Sequence, residues 1–342
     1  MTGHLVHYKI LFLIIFLFLS SNQFAQVHPD KKIHSLLMSG LNELINQNYD
    51  KSAQYFTELK STYPKNPLGY IYLAVSEIVK NSDHKEQFNI SFIEKNLDEG
   101  RKLADKLYDD DDNNPWNIYY LALSKGFQAY YAALNQSWIN AFTIGLSSLN
   151  LFEDCLEKDK KFYDAYTAIG TYKYWKSKKT ESLNWMPFVE DETDLGLKLL
   201  EKAVASSTYT KHLAISSLLW IYLSKKEDYK ALKLAKQVYS KYPNSKYFKW
   251  TLARAYENID LNKSLEIYTE LSAQYNNSND PNRINEINIK HIIAQLLNKR
   301  GDVQGALKLC NEILSIKLTP FASEKLERRL NRVKELKKEL SK

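Results

Sequence analysis

Apolar residues in this chain recur at spacings of three and four, with no sustained alternation of two after residue 26, and that period specifies helices. Leu197, Leu200, Ala203 and Val204 form one such stripe, and Leu232, Ala235, Val238 and Tyr239 form another. Breaks fall at Tyr63–Pro67, Asp109–Pro115, Tyr242–Asn244 and Asn276–Pro281, which leaves segments one or more helices long. Ten glycines and eight prolines in 342 residues are too little turn punctuation for a sandwich, barrel or doubly wound sheet. A chain 44% hydrophobic and 25% charged is neither wholly disordered nor a multi-span membrane protein. Two cysteines exclude a disulfide scaffold or a zinc ribbon.

The helical segments repeat. Leu218, Leu219, Tyr222, Ala231, Ala235, Val238 and Pro243 occupy positions 7, 8, 11, 20, 24, 27 and 32 of a 34-residue unit. Ile293, Ala294, Leu297, Gly301, Ala306, Cys310 and Ile313 fill positions 7, 8, 11, 15, 20, 24 and 27 of the same unit. Between them, Leu252, Ala253, Tyr256, Ser264, Tyr268 and Leu271 make a unit whose inter-helix loop is one residue shorter. Upstream, Gly40, Ala53, Phe56, Leu59 and Pro64 read as a first unit, and Tyr166, Ile169 and Gly170 as part of another. These positions resemble the tetratricopeptide repeat (TPR), in which a large–small pair on helix A meets a small residue on helix B where the two cross. The resemblance implies an all-α, right-handed superhelical solenoid of about seven antiparallel helix pairs over 33–318, with an insertion at 176–193. A linker is expected at 26–32 and a basic amphipathic capping helix at 319–342.

Residues 1–25 read as a secretory signal peptide: a short start with Lys9, the apolar run Ile10–Leu19, then Phe24-Ala25-Gln26. The run is too short to span a bilayer, for which about 20 residues are needed. Cleavage after Ala25 is expected, with a periplasmic or extracellular destination, and no cysteine at the junction invites lipidation.

Candidate chemistry is thin. Asp109–Asp112 lacks the spacing, glycine turn and distal Glu of a calcium loop and reads as a solvated turn before Pro115. The seven histidines are scattered, and no metalloprotease, nucleophile-elbow or phosphate-loop motif occurs. Cys155 and Cys310 are expected as buried free thiols. No catalytic residue, metal or cofactor is expected.

Tyrosine is abundant, 24 of 342, and clusters in helix A segments. Tyr119, Tyr120, Tyr130 and Tyr131 lie in one; Tyr172, Tyr174 and Trp175 lie in another. Each set covers more than one helical face, so two readings stand side by side: consensus packing, and an aromatic-lined groove for a partner. Trp185 and Phe188 in the insertion join the candidate surface, since large apolar side chains left bare in a loop are costly. The carboxylate clamp of chaperone-binding TPR domains has no counterpart in these A helices.

The resemblance implies a non-catalytic scaffold for a protein or peptide partner, exported to the bacterial envelope. The alternative is a soluble ligand- or glycan-binding protein of similar build. A formal charge of +7 compels no nucleic-acid partner, and none is expected. Residues 317–342, rich in Lys and Arg, offer weak electrostatic contact to an acidic protein or an anionic lipid surface.

Overall fold

The computed structural model describes residues 26–181, 190–276 and 282–342. Fifteen helices follow one another there, each packed chiefly on its neighbours in sequence. The A and B helices pair as α1 (Lys31–Ile45) with α2 (Tyr49–Thr62), α3 (Pro67–His84) with α4 (Ile90–Asp110), and α5 (Pro115–Leu134) with α6 (Trp138–Lys158). Next come α7 (Ala165–Lys179) with α8 (Thr193–Ser206), α9 (Lys211–Ser224) with α10 (Asp228–Lys241), and α11 (Lys246–Tyr256) with α12 (Leu261–Asn276). The last pair is α13 (Ile284–Arg300) with α14 (Val303–Ser315), and α15 (Pro320–Leu340) closes the end. The fold is an all-α solenoid of TPR-like helix pairs.

The pairs hold together where small residues let two backbones approach. Ser52 Oγ donates to the Gly40 carbonyl at 2.9 Å, Ser148 Oγ to Ala122 at 2.7 Å, and Ser264 Oγ to Ala253 at 2.9 Å. In each case a helix B hydroxyl bonds a helix A carbonyl at the crossing, which both satisfies a buried polar group and fixes the register. The α7/α8 pair goes further and opposes two glycines. A Cβ on Gly196 would stand 2.7 Å from the Tyr174 nitrogen and 2.8 Å from the Gly170 oxygen.

Sparse glycine has a visible consequence. The turns inside five pairs each contain one residue with positive φ: Gln47, Lys85, Gln136, Lys226 and Gly301. Only the last is glycine, so the other four turns hold an L side chain in a left-handed conformation that disfavours it by roughly 1 kcal/mol. Three helices start more economically, on Asn66-Pro67, Asn114-Pro115 and Thr319-Pro320, where the first residue's side chain caps and proline sets the first turn.

Residues 26–32 are not a linker. The His28 backbone N–H donates to Tyr209 Oη at 2.9 Å, and His28 Nε2 shares a 2.6 Å hydrogen bond with Tyr120 Oη. His34 Nδ1 meets the same Tyr209 hydroxyl at 2.8 Å, and Thr208 Oγ1 donates to the Gln26 carbonyl. Asp30 caps α1, so that helix begins two residues before position 33.

The array also closes on itself. Gln47, in the α1–α2 turn, accepts from the Lys246 N–H at 2.8 Å, and Ile45 packs on the core formed by α9–α13. Asp83 at the end of α3 accepts from Tyr49 at 2.8 Å and from Tyr275 at 3.4 Å, while Asn285 donates to its carbonyl. The first three helices therefore touch the turns before α9, α11 and α13. At the other end α15 buries Ala322, Leu326 and Val333 against α13 and α14, and Arg329 donates to His291 Nδ1 at 3.1 Å.

Candidate functional site

The nine aromatic candidates separate into four groups. Tyr119, Tyr120, Tyr131 and Tyr174 are buried, which removes them from any open surface. Tyr119 packs its ring on Phe152 and Phe162, Tyr120 anchors His28, Tyr131 meets Phe88, and Tyr174 lies under Trp175. Tyr172 is half-buried beside a cleft of about 230 Å³ between α6 and α7 that Phe142, Gly145 and Ala168 also line. Tyr130 and Trp175 are exposed. Trp185 and Phe188 lie outside the described residues. The insertion itself starts later than expected, because α7 continues to Lys179. Its far side is fastened by Glu192, which pairs with Lys173 at 2.5 Å and Lys176 at 3.3 Å. Those lysines, Lys173 first, hold the Glu192 carboxyl below its usual range. Glu192 occupies the cap position of α8.

A second aromatic group lies on the A helices further along. Counting back from the large–small pairs at positions 7 and 8, α9 presents Leu213, Ser216 and Trp220 at positions 2, 5 and 9, and α11 presents Tyr247, Trp250 and Arg254 at the same places. Each triad falls on one helical stripe. Across the stripes the Trp220 indole N–H donates to Tyr247 Oη at 3.1 Å, Ser216 shares a hydrogen bond with that hydroxyl, and the Trp220 and Trp250 rings lie 5.3 Å apart. One pair earlier, Thr171 on α7 donates to Ser217 on α9 at 3.0 Å, so α7 is tied to the same stripe.

Tyr130 of α5 is 47% exposed, yet burial around its phenol pushes its pKa up, and Tyr247 of α11 lies near enough to add to the rise. The accessible aromatic residues of the A helices are thus Tyr130, Trp175, Trp220, Tyr247 and Trp250, rich in aromatic area with hydroxyl and indole donors. Sequence reasoning missed the last three. The signal was available, since the repeat register places Tyr247 and Trp250 three residues apart on one face of α11 and Trp220 on the matching face of α9, but tyrosine clustering pointed to α5 and α7 instead.

No group of His, Cys, Asp or Glu that could hold a metal occurs among the described residues. Asp111 and Asp112 bond Asn113 within the turn before α5. Cys155 and Cys310 are buried and free; burial pushes both thiols up, which suppresses the thiolate. Asp164, a fully buried carboxylate just before α7, accepts from the Thr210 N–H at 2.6 Å, the Tyr209 N–H at 2.8 Å, the Thr208 N–H at 3.3 Å and Thr210 Oγ1 at 2.9 Å. Burial raises its pKa and these donors oppose the rise. With four donors it is a structural hub between the start of α7 and the start of α9.

No protein-family profile and no curated protein matches the sequence. Several solved structures are similar to it. A tetratricopeptide repeat protein from Parabacteroides merdae shares 11% identity over 92% of this chain and 100% of its own, with a TM-score of 0.36. The C-terminal part of a TPR repeat-containing protein from Cytophaga hutchinsonii shares 18% identity over 82% of this chain and 96% of its own, at 0.40. Human IFIT1, solved as a dimer with PPP-AAAA, shares 13% identity over 94% of this chain and 80% of its own, at 0.45.

Proposed function

We propose that the chain is a non-catalytic interaction scaffold of the bacterial envelope that takes an extended protein segment along the accessible aromatic residues of its A helices. The observation that carries this reading is the aromatic ladder Trp220–Tyr247–Trp250, near Tyr130 and available to a ligand without unfolding. Tyrosine and tryptophan dominate protein-recognition hot spots because they give large, rigid contact area and a polar handle. Export to that compartment rests on the signal-peptide pattern of residues 1–25.

A photo-crosslinking residue at Tyr247, incorporated in the native host, tests the reading. The expected result is a discrete adduct with one envelope protein, absent when the same probe stands at Tyr229 on α10, which is more open to solvent (78% against 39% exposed). Loss of the adduct in Trp220→Ser/Trp250→Ser completes the assignment. Equal labelling from both positions would refute it. A glycan is the alternative occupant of the same surface, favoured by the paired tryptophan rings, and saturable quenching of tryptophan fluorescence by an oligosaccharide would select it.

A further inference from the structure

The α5–α6 hairpin carries the longest stretch of the chain without a charge. From Gly126 to Phe152 no Asp, Glu, Lys or Arg occurs, 27 residues in which the average composition would place roughly seven. The stretch spans the second half of α5, the turn at 135–137 and most of α6. Much of it is not core. At the start of α6, Trp138, Ile139 and Phe142 are 67%, 84% and 64% exposed, and Leu134 at the end of α5 is exposed beside them. Ile90 and Phe92, exposed at the start of α4, extend the patch, because Phe88 contacts Tyr131 and so sets that end of α4 level with the hairpin tip. Large bare apolar side chains grouped in this way mark an interaction surface.

We infer that this tip docks on the interface of a lipid bilayer. The chemistry of the patch distinguishes that occupant from a protein. The turn at the tip supplies Asn135, Gln136 and Ser137, uncharged polar groups suited to the headgroup carbonyl region. Tryptophan and tyrosine are the side chains that settle at that level, with aliphatic and phenylalanine side chains below them. The exposed first turns of α6, residues 138–143, are about 9 Å long at 1.5 Å per residue, within the roughly 5–10 Å to which interfacial helices sink. Basic residues stand alongside. Tyr172 and Ala168 of α7 share a cleft with Phe142 and Gly145 of α6, so the last turn of α7 lies at the level of the tip; there Lys176 and Lys178 pair with Glu192 and Glu181, and exposed Lys179 is the cation placed to meet lipid phosphate. No helix among the described residues is long and apolar enough to cross a membrane, so the protein would lie on the surface.

Co-sedimentation with vesicles tests this, using phosphatidylcholine alone and phosphatidylcholine with one quarter phosphatidylglycerol. Both the full chain and residues 26–342 are assayed, so that the apolar run at 10–19 cannot supply the binding. The unaltered protein is expected in the vesicle pellet in both forms, with stronger binding to the anionic vesicles. Trp138→Gln/Ile139→Gln/Phe142→Gln should lower its partition coefficient by roughly tenfold or more while leaving the thermal melt unchanged, since all three side chains are exposed. If the triple variant melts early, Ile139→Gln alone is expected to weaken binding severalfold. Absence of the unaltered protein from the pellet, equal sedimentation of the variants, or binding by the full chain alone would overturn the inference. So would a monomer–dimer equilibrium in lipid-free buffer that the triple variant abolishes, because the patch would then belong to a second copy of the chain.

Discussion

Replacing glycine by alanine should have opposite effects at two helical positions of this array. In a free helix the change stabilises by roughly 0.5–1 kcal/mol, because alanine loses less backbone freedom on folding. At Gly145 on α6 nothing opposes that gain: a Cβ there meets only Ala129 Cβ, at 3.7 Å, an ordinary contact. At Gly196 on α8 the added carbon would sit 2.7 Å from the Tyr174 nitrogen and 2.8 Å from the Gly170 oxygen. Those are backbone atoms of α7 and cannot swing aside, so the helices must separate. Overpacking of this kind costs about 1–3 kcal/mol, and with backbone as the obstacle the upper part of that range applies. Gly145→Ala is therefore expected to gain up to about 1 kcal/mol and Gly196→Ala to lose about 1–2 kcal/mol net. Thermal and guanidinium unfolding followed by helical circular dichroism measures both. Hydrogen exchange resolved to α7 and α8 guards against piecewise melting of the array. Equal stabilisation by the two variants would refute the close crossing.

Removing the Asp164 carboxylate by Asp164→Ala leaves three N–H groups at 208–210 without their acceptor, and a loss of about 3–5 kcal/mol is expected in the same unfolding assay. Lys226→Gly should raise stability by a few tenths to about 1 kcal/mol, because the turn it occupies requires positive φ. His291 is buried and accepts from Arg329, and burial together with Arg329 and Arg332 depresses its pKa from 6.5 to about 4. The unfolded chain thus takes up this proton first. Its contribution is complete above pH 6.5 and is lost as pH falls from there to about 4, amounting to about 2 kcal/mol after allowance for screening. His291→Gln should flatten the acid limb of a stability–pH curve in that window without abolishing it, because His28 and His212 are also held down by burial.

What the sequence determined on its own was the local rule of construction. A helical period, a large–small pair on one helix and a small residue on the next are contacts made within about 34 residues, and near-neighbour contacts leave a periodic trace. Hence the crossing of Ala253 with Ser264 was legible in the sequence, whereas in the first unit the structure puts Ser52, not Ala53, against Gly40. Trp220, Tyr247 and Trp250 were also encoded in that register. Yet tyrosine suits both core and surface, so composition could not separate buried Tyr119 and Tyr174 from exposed Tyr130 and Trp175. The tertiary structure alone decided the long-range closure. His28 meets Tyr209 across 181 positions, Gln47 meets Lys246 across 199 and Asp83 meets Asn285 across 202. None of these contacts repeats, so none leaves a period to read. They depend on the small rotation between successive helix pairs accumulating until the first pair meets the later turns.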